Sequence, residues 1–266
     1  MKTPDQNRDG AHIEQGEAGV EQLLRSRLKE TTERMIANPG LDAIENGELT
    51  QNEWREFAKQ RYLAALHFEE LLEAGIKKAQ EMQDQKLAEV LAENLRDEQG
   101  VDEQGQPKED GSHEKWRQDF YNALGLDGHA LSTAEPLEGT KKYDEALKKL
   151  IDSADGLTVA GALLMQEYSI VREFIRIQKG RDRAFPAQFE YSDTDTDEQC
   201  RQKEAARLYI DDHIKHDAGS HYPDLLHAIS KYSADESLAK IKNGMDVINE
   251  AKQEFYKSLE QIQEQK

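Results

Sequence analysis

Four of the eight histidines in this 266-residue chain fall within YIDDHIKHDAGSHYPDLLH, residues 209–227. On a helix, His213, Asp217 and His221 follow at intervals of four, sweep about 80° and share one face. Two imidazoles and a carboxylate on one face are a ligand set for a first-row transition metal, and iron, manganese and zinc all suit it. The ordinary alternative is a solvated helix that happens to carry His and Asp; on this register Asp212, His216 and His227 point elsewhere. Gly219, in the middle of the stretch, costs about 1 kcal/mol relative to alanine, a sacrifice expected where function sets the geometry.

Two further places carry chemistry. ENLRDEQG ends a helix with Glu98, and after a polar loop GSHEKW starts the next helix with His113, so a carboxylate and an imidazole can meet across the loop. The competing reading is a solvated acidic helix end. Glu167 interrupts GALLMQEYSIVREF, whose Ala160, Leu163, Leu164, Ile170, Val171 and Phe174 bury the helix. A carboxylate there is costly unless paired, hydrogen-bonded or metal-bound, although Glu167 can instead face outward beside Gln166. Carboxylates and imidazoles from three helices around one point are how bundles build dinuclear sites. The ferritin-like Glu-x-x-His pair is absent, since no histidine follows a glutamate by three residues.

The elements that must position these groups are helical. Apolar residues recur at helical spacing, proline is scarce and period-two alternation is missing, so the chain reads as all-α. A first helix is expected from about Gly16 to Asn38, with Val20, Leu23, Leu24, Leu28, Thr31 and Met35 inward. Thr50 with Glu53 is a capping box opening one long helix, Gln51 to about Gln83, buried through Trp54, Phe57, Tyr62, Leu66, Phe68, Leu72 and Ile76. Helices follow over Gln85–Gln99, His113 to about Gly125 and Glu138–Ser153, with residues 126–137 a connection. The most apolar helix, Gly156 to about Arg181, is expected at the centre, and a seventh runs from about Glu198 to Tyr232. Ser233 caps the last. Residues 1–15 read as a flexible segment ahead of one domain, 16–266.

Composition narrows the function classes. A formal net charge of −19 repels a phosphate backbone and an anionic lipid surface, which argues against nucleic-acid and membrane partners. The longest apolar stretch, residues 158–165, is too short to span a bilayer, and MKTPDQNRDG lacks a secretion signal's apolar segment. Cys200 is the lone cysteine, so no intramolecular disulfide forms, and a cytoplasmic location is expected.

ENLRDEQG, the histidine-led HEKWRQDFYNALGL, the central glutamate helix and HIKHDAGSHYPDLLHAI together resemble the heme-oxygenase-like superfamily. Within it the resemblance is to the branch of non-heme diiron oxidases and oxygenases, the iron-containing redox enzymes, and it spans about residues 20–232. NPGLDAIENGELTQNEWREFAKQRYLAALHFEELL also resembles that family's opening helices. The resemblance implies an all-α bundle of about seven to eight helices. It implies Glu98, His113, Glu167, His213, Asp217 and His221 as ligands of two iron ions or a Mn/Fe pair, with Glu167 bridging and Glu98, Glu167 and Asp217 as catalytic carboxylates. The Asp217–His221 stretch is one residue longer than in some relatives, leaving His216 as a substitute ligand. The activity implied is O2-dependent oxidation of a small acid, amine or amino-acid-like substrate, with a second copy of the chain as a candidate partner. Tyr168, Tyr209 and Trp116 either line the pocket or are core aromatics. The alternatives are a cofactor-free relative of the PqqC or TenA type, for which Cys200 at a helix start is the candidate nucleophile, and a non-catalytic helical binding module.

Overall fold

The computed structural model describes residues 6–108, 112–153, 155–216 and 221–264. In chain order the helices are α1 (Gln6–Ile36), α2 (Pro39–Asn46), α3 (Gln51–Ala65), α4 (Phe68–Glu81) and α5 (Gln85–Gln99). Next come α6 (His113–Ala123), α7 (Gly128–Ser132), α8 (Glu138–Ile151), α9 (Gly156–Ala184) and α10 (Pro186–Phe189). The chain continues through α11 (Asp197–His216), α12 (His221–Ile229), α13 (Asp235–Lys257) and α14 (Glu260–Glu264). Among the described residues the only β pairing is an isolated bridge, Val101 to Pro107. The described residues form an all-α fold. No described helix is long and apolar enough to cross a membrane.

α9 is the axis of the bundle. α13, α2, α11, α4 and α12 all pack against it, so its residues are buried on nearly every side. Asp155 starts it, its carboxylate accepting from the Thr158 amide at 3.0 Å. α13 approaches α9 most closely where glycines face backbone. A Cβ on Gly161 would lie 2.0 Å from the Ile241 carbonyl oxygen, and one on Gly244 only 1.9 Å from that of Thr158. Neither oxygen can yield without moving its helix.

Because α9 is enclosed, its charges need internal partners. Glu173 has no solvent exposure; Lys252 donates to its Oε1 at 2.6 Å and the Tyr256 hydroxyl to its Oε2 at 2.6 Å. Lys252 also donates to Ser169 Oγ at 2.6 Å. Burial works against the Glu173 charge, and the nearby Lys252 and Arg61 cations overcome it, holding its pKa below the usual range.

Several helices depart from their expected limits. α1 begins at Gln6, ten residues ahead of Gly16, and Leu23 is exposed at 40%. The long second helix is two, α3 and α4, meeting at Leu66 and His67. Neither residue is a helix breaker. His67 leaves helical geometry with Nδ1 at 2.8 Å from Glu70 and Nε2 at 3.1 Å from Asp144 on α8, and Leu66 turns out to 49% exposure. The capping box is present, with Glu53 Oε2 accepting from the Thr50 amide at 2.7 Å. The connection 126–137 contains α7, and Ala234, not Ser233, sits at the start of α13, with no side-chain cap. The seventh helix is described as α11, ending at His216, and α12, starting at His221.

A Gly244→Ala substitution is expected to destabilise the protein by ~1–3 kcal/mol through overpacking at the α9–α13 crossing. Urea unfolding followed by circular dichroism checks this, and an unchanged midpoint refutes the close approach.

Candidate metal centre

Each chemical group sits at a helix end or on a buried face. α5 closes on Gly100, whose φ of 64° lets the chain turn back; the Gly100 and Val101 amides donate to Asp97 and Arg96 carbonyls at 3.1 and 3.0 Å. The polar loop then closes on itself: Asp102 N donates to the Gln106 carbonyl at 2.8 Å, Lys108 N to that of Gly100 at 2.8 Å, and Lys108 Nζ to Asp97. The end of α5 and the start of α6 pack against each other across this loop. Ser112 caps α6, its hydroxyl accepting from Lys115 N at 3.2 Å, which sets His113 in the first turn facing inward.

Glu98, His113 and His213 converge, each offering a ligand atom within 4.8 Å of the others. His113 Nδ1 lies 3.0 Å from Glu98 Oε2, and His213 Nε2 lies 4.0 Å from Glu98 Oε1. Ligands about 2.1 Å from a shared ion lie up to ~4.2 Å apart, so closure by a few tenths of an ångström admits one. A second group adjoins on α5, α9 and α12. Glu167 is buried, accepts from Asn94 Nδ2 at 2.9 Å, and faces His221 Nδ1 at 3.7 Å. It does not face outward. Asp217 lies outside the described residues, as do 218–220, and with them the shared face expected for His213, Asp217 and His221.

The other nitrogen of each imidazole decides its state. His213 Nδ1 lies 2.6 Å from the Tyr209 carbonyl oxygen, which only accepts, so Nδ1 carries the proton and Nε2 presents a lone pair toward Glu98. His221 Nε2 lies 2.9 Å from Asp97 Oδ2, leaving Nδ1 toward Glu167. Imidazoles anchored through one nitrogen to a carbonyl or carboxylate, with the other aimed at a carboxylate, are pre-oriented as metal ligands. The rings are also clamped. His113 stacks at 4.8 Å centroid distance on Trp116 and 4.6 Å on His213, and Phe174 meets His213 at 5.0 Å.

Electrostatics favour the ligating forms. Burial penalises the His213 cation, and the neighbouring His113 adds to it, so the pKa falls to about 4. Burial opposes ionisation of Glu98, but His113 and then His213 outweigh it and hold its pKa at about 2. Burial likewise opposes the Asp97 charge, and His221 and Lys108 bring its pKa to about 2. At neutral pH the centre thus offers ionised carboxylates and a neutral His213. This donor set, together with anchored rings, fits iron.

A narrow cleft reaches the centre, and Glu98 and His213 form one part of its wall; Arg61, Tyr143, Gln166 and Tyr209 form another. Sequence reasoning missed four contributors: Asn94, Asp97, Asp212 and Arg61. Asp212, expected to point elsewhere, places Oδ2 3.7 Å from His113 Nε2. Only Asp97 carried a signal, its position next to Glu98. Tyr209 lines the cleft, Trp116 packs behind His113, and Tyr168 packs against Tyr222 at 4.9 Å. His227 is exposed. Cys200 is half-buried in the first turn of α11 and is not part of the cleft wall.

The fold is shared with solved proteins. A CADD-like protein of unknown function from Nostoc punctiforme superposes with a TM-score of 0.67 at 17% identity, covering 90% of this chain and 98% of its own. A TenA homologue from Pseudomonas syringae pv. tomato superposes with a TM-score of 0.65 at 9% identity, covering 91% and 92%. No curated protein sequence matches the chain. The sequence pattern of the iron-containing redox enzymes matches residues 55–251, and the chain belongs to that family.

The His213 imidazole of the metal-free protein is expected to stay neutral until pH falls to about 4. Its folded pKa lies below the ordinary histidine value of ~6.5, so between the two the unfolded chain binds the proton. This contribution therefore erodes stability as pH drops through that window. NMR titration of the histidine Cε1 protons checks it, and a His213 midpoint near the ordinary value refutes the buried, carbonyl-anchored geometry.

Proposed function

We propose that this chain is a non-heme dinuclear iron oxidase or oxygenase that uses O2 to oxidise a small organic substrate. The observation that carries the reading is the convergence of Glu98, His113 and His213, with the Glu167–His221 pair beside them on neighbouring helices. Membership of the iron-containing redox enzymes supports iron as the metal.

In this reading Glu98, His113 and His213 hold one ion. Glu167 and His221 would hold the second, and Asp217 is the further ligand that the resemblance implies. A reduced iron pair would supply the electrons that activate O2, chemistry that no side chain of the protein can provide. The remaining work belongs to the chain. Tyr209 and Asp97 fix the tautomers of His213 and His221 through a carbonyl and a carboxylate. Asn94 donates to Glu167 Oε1 and holds that carboxylate in rotamer. Trp116 and Phe174 cover the imidazoles and keep bulk water from them, which strengthens each charge–charge interaction inside.

Anaerobic titration of the metal-free protein with Fe(II) is expected to show two equivalents bound, followed by an O2-dependent absorption change. His213→Ala and Glu167→Ala are each expected to lose at least one equivalent, with ~10–100-fold weaker affinity for what remains. Uptake of no iron, or uptake unaffected by both substitutions, overturns the reading. A Tyr209→Phe variant keeps the carbonyl anchor of His213 and is expected to bind iron as the parent does.

A further inference from the structure

The elbow between α3 and α4 falls inside RYLAALHFEELL, a stretch with neither glycine nor proline. Its backbone supplies little reason to stop there. The Leu66 amide reaches the Leu63 carbonyl only at 3.4 Å, and α4 begins without a side-chain cap. What marks the elbow is the His67 ring. Nδ1 lies 2.8 Å from Glu70 Oε2 on α4, and Nε2 lies 3.1 Å from Asp144 Oδ1 on α8. A carboxylate only accepts, so a neutral imidazole would turn a lone pair on one of the two. Both contacts are favourable only to the doubly protonated ring.

The charges around His67 are Glu70 on its own helix and, from α8, Asp144 with Lys148, which donates to Asp144 Oδ2 at 2.8 Å and also feels Glu70 and Glu145. The last turn of α3, Tyr62 to Ala65, carries no charge. α5 and α9 meet α4 at Gly75 through the apolar Leu91, Val159 and Leu163, and α5 reaches Glu69 through the Gln99 amide at 3.4 Å, which does not titrate. Loss of the ring proton leaves His67 one N–H. The Glu70 contact is the shorter and has hydrogen-bond geometry, so the neutral ring keeps it and gives up Asp144. Asp144 is the partner on another helix, and it retains Lys148.

The elbow carries part of the cleft wall. Ala64 and Ala65 before it and Phe68 and Glu69 after it line the cleft that reaches Glu98 and His213. We infer that His67 is a proton-operated tie on this wall: the charged ring fastens the elbow to α8, and the neutral ring frees it. The side chain is 26% exposed, so protons exchange with it without passing through the core. Histidine is also the side chain that ordinarily changes charge between about pH 5 and 8, which places both states within a physiological range. The wall is therefore held in acid and loosened as pH rises. The tie acts on the approach to the centre and not on its ligands, so it stands apart from the metal reading.

The test is amide hydrogen exchange of the metal-free full chain at about pH 5.5 and about pH 8, on either side of ordinary histidine titration. Mass spectrometry reads peptides over residues 61–72, with rates corrected for the intrinsic effect of pH and referred to α13. Protection of the elbow is expected to fall roughly two- to fivefold from the lower pH to the higher, the scale of a partly exposed ion pair. His67→Gln, neutral throughout, is expected to exchange at the fast level at both, and so is Asp144→Asn, which weakens the acceptor on α8. Glu70→Gln has the opposite effect: the new amide donates to Nδ1, the neutral ring keeps its proton for Asp144, and the elbow stays protected at both pH values. A melting curve establishes that each variant is folded. The tie is refuted if the parent elbow is equally protected at both pH values, if the response survives in folded His67→Gln or Asp144→Asn, or if Glu70→Gln is as unprotected as His67→Gln. None of these outcomes depends on iron uptake, so failure here leaves the metal reading untouched, and failure to bind iron leaves the tie.

Discussion

Enclosure of α9 is the constraint from which the rest of the structure follows. A helix packed by neighbours on nearly every side cannot carry an unpaired carboxylate on its buried faces, because removing such a charge from water costs several kcal/mol even after relaxation. α9 carries two buried carboxylates, and the protein answers them differently. Glu173 is given a lysine and a tyrosine hydroxyl from α13, a closed arrangement that ties the helix to its closest neighbour. Glu167, six residues earlier, is given an amide from α5 and an imidazole at 3.7 Å, an arrangement that leaves it open to a further positive charge. The first is closed, and the second is the one on which the proposed metal centre draws.

The same logic organises the histidines. A buried imidazole is cheap to hold only when neutral, and burial brings His213 to that state well below physiological pH. Fixing one ring nitrogen on an acceptor then commits the other to present a lone pair. Anchors of unlike origin, the Tyr209 carbonyl within α11 and the Asp97 carboxylate on α5, hold one ring nitrogen of His213 and of His221 respectively. That two independent imidazoles are each directed at a carboxylate is what distinguishes this arrangement from a chance cluster of polar residues.

Likeness of fold says less than this geometry does. The superposable proteins share 17% and 9% identity, and a bundle of this shape accommodates unrelated chemistry. What separates one use of the scaffold from another is the handful of side chains at the inner ends of α5, α6, α9, α11 and α12.

Much of this protein was determined by sequence alone. Period-3.6 apolar spacing specifies helices, the Thr50–Glu53 box places the start of one, and the apolar run of residues 158–165 demands a central position, because these signals act over a few residues. Residue types named Glu98, His113, Glu167 and His213, and the structure brings them to one region; Asp217 lies outside the described residues. Tertiary structure alone decided the inward rotation of Glu167, since one helical step separates it from Gln166 and both neighbours of a buried helix look alike in sequence. It alone decided the break at Leu66, where no glycine or proline signals it and partners on α4 and α8 hold His67. The roles of Asn94, Asp97, Asp212 and Arg61 were equally out of reach. Each depends on a partner tens of residues away or more, and no local pattern encodes a contact made only when separate helices meet.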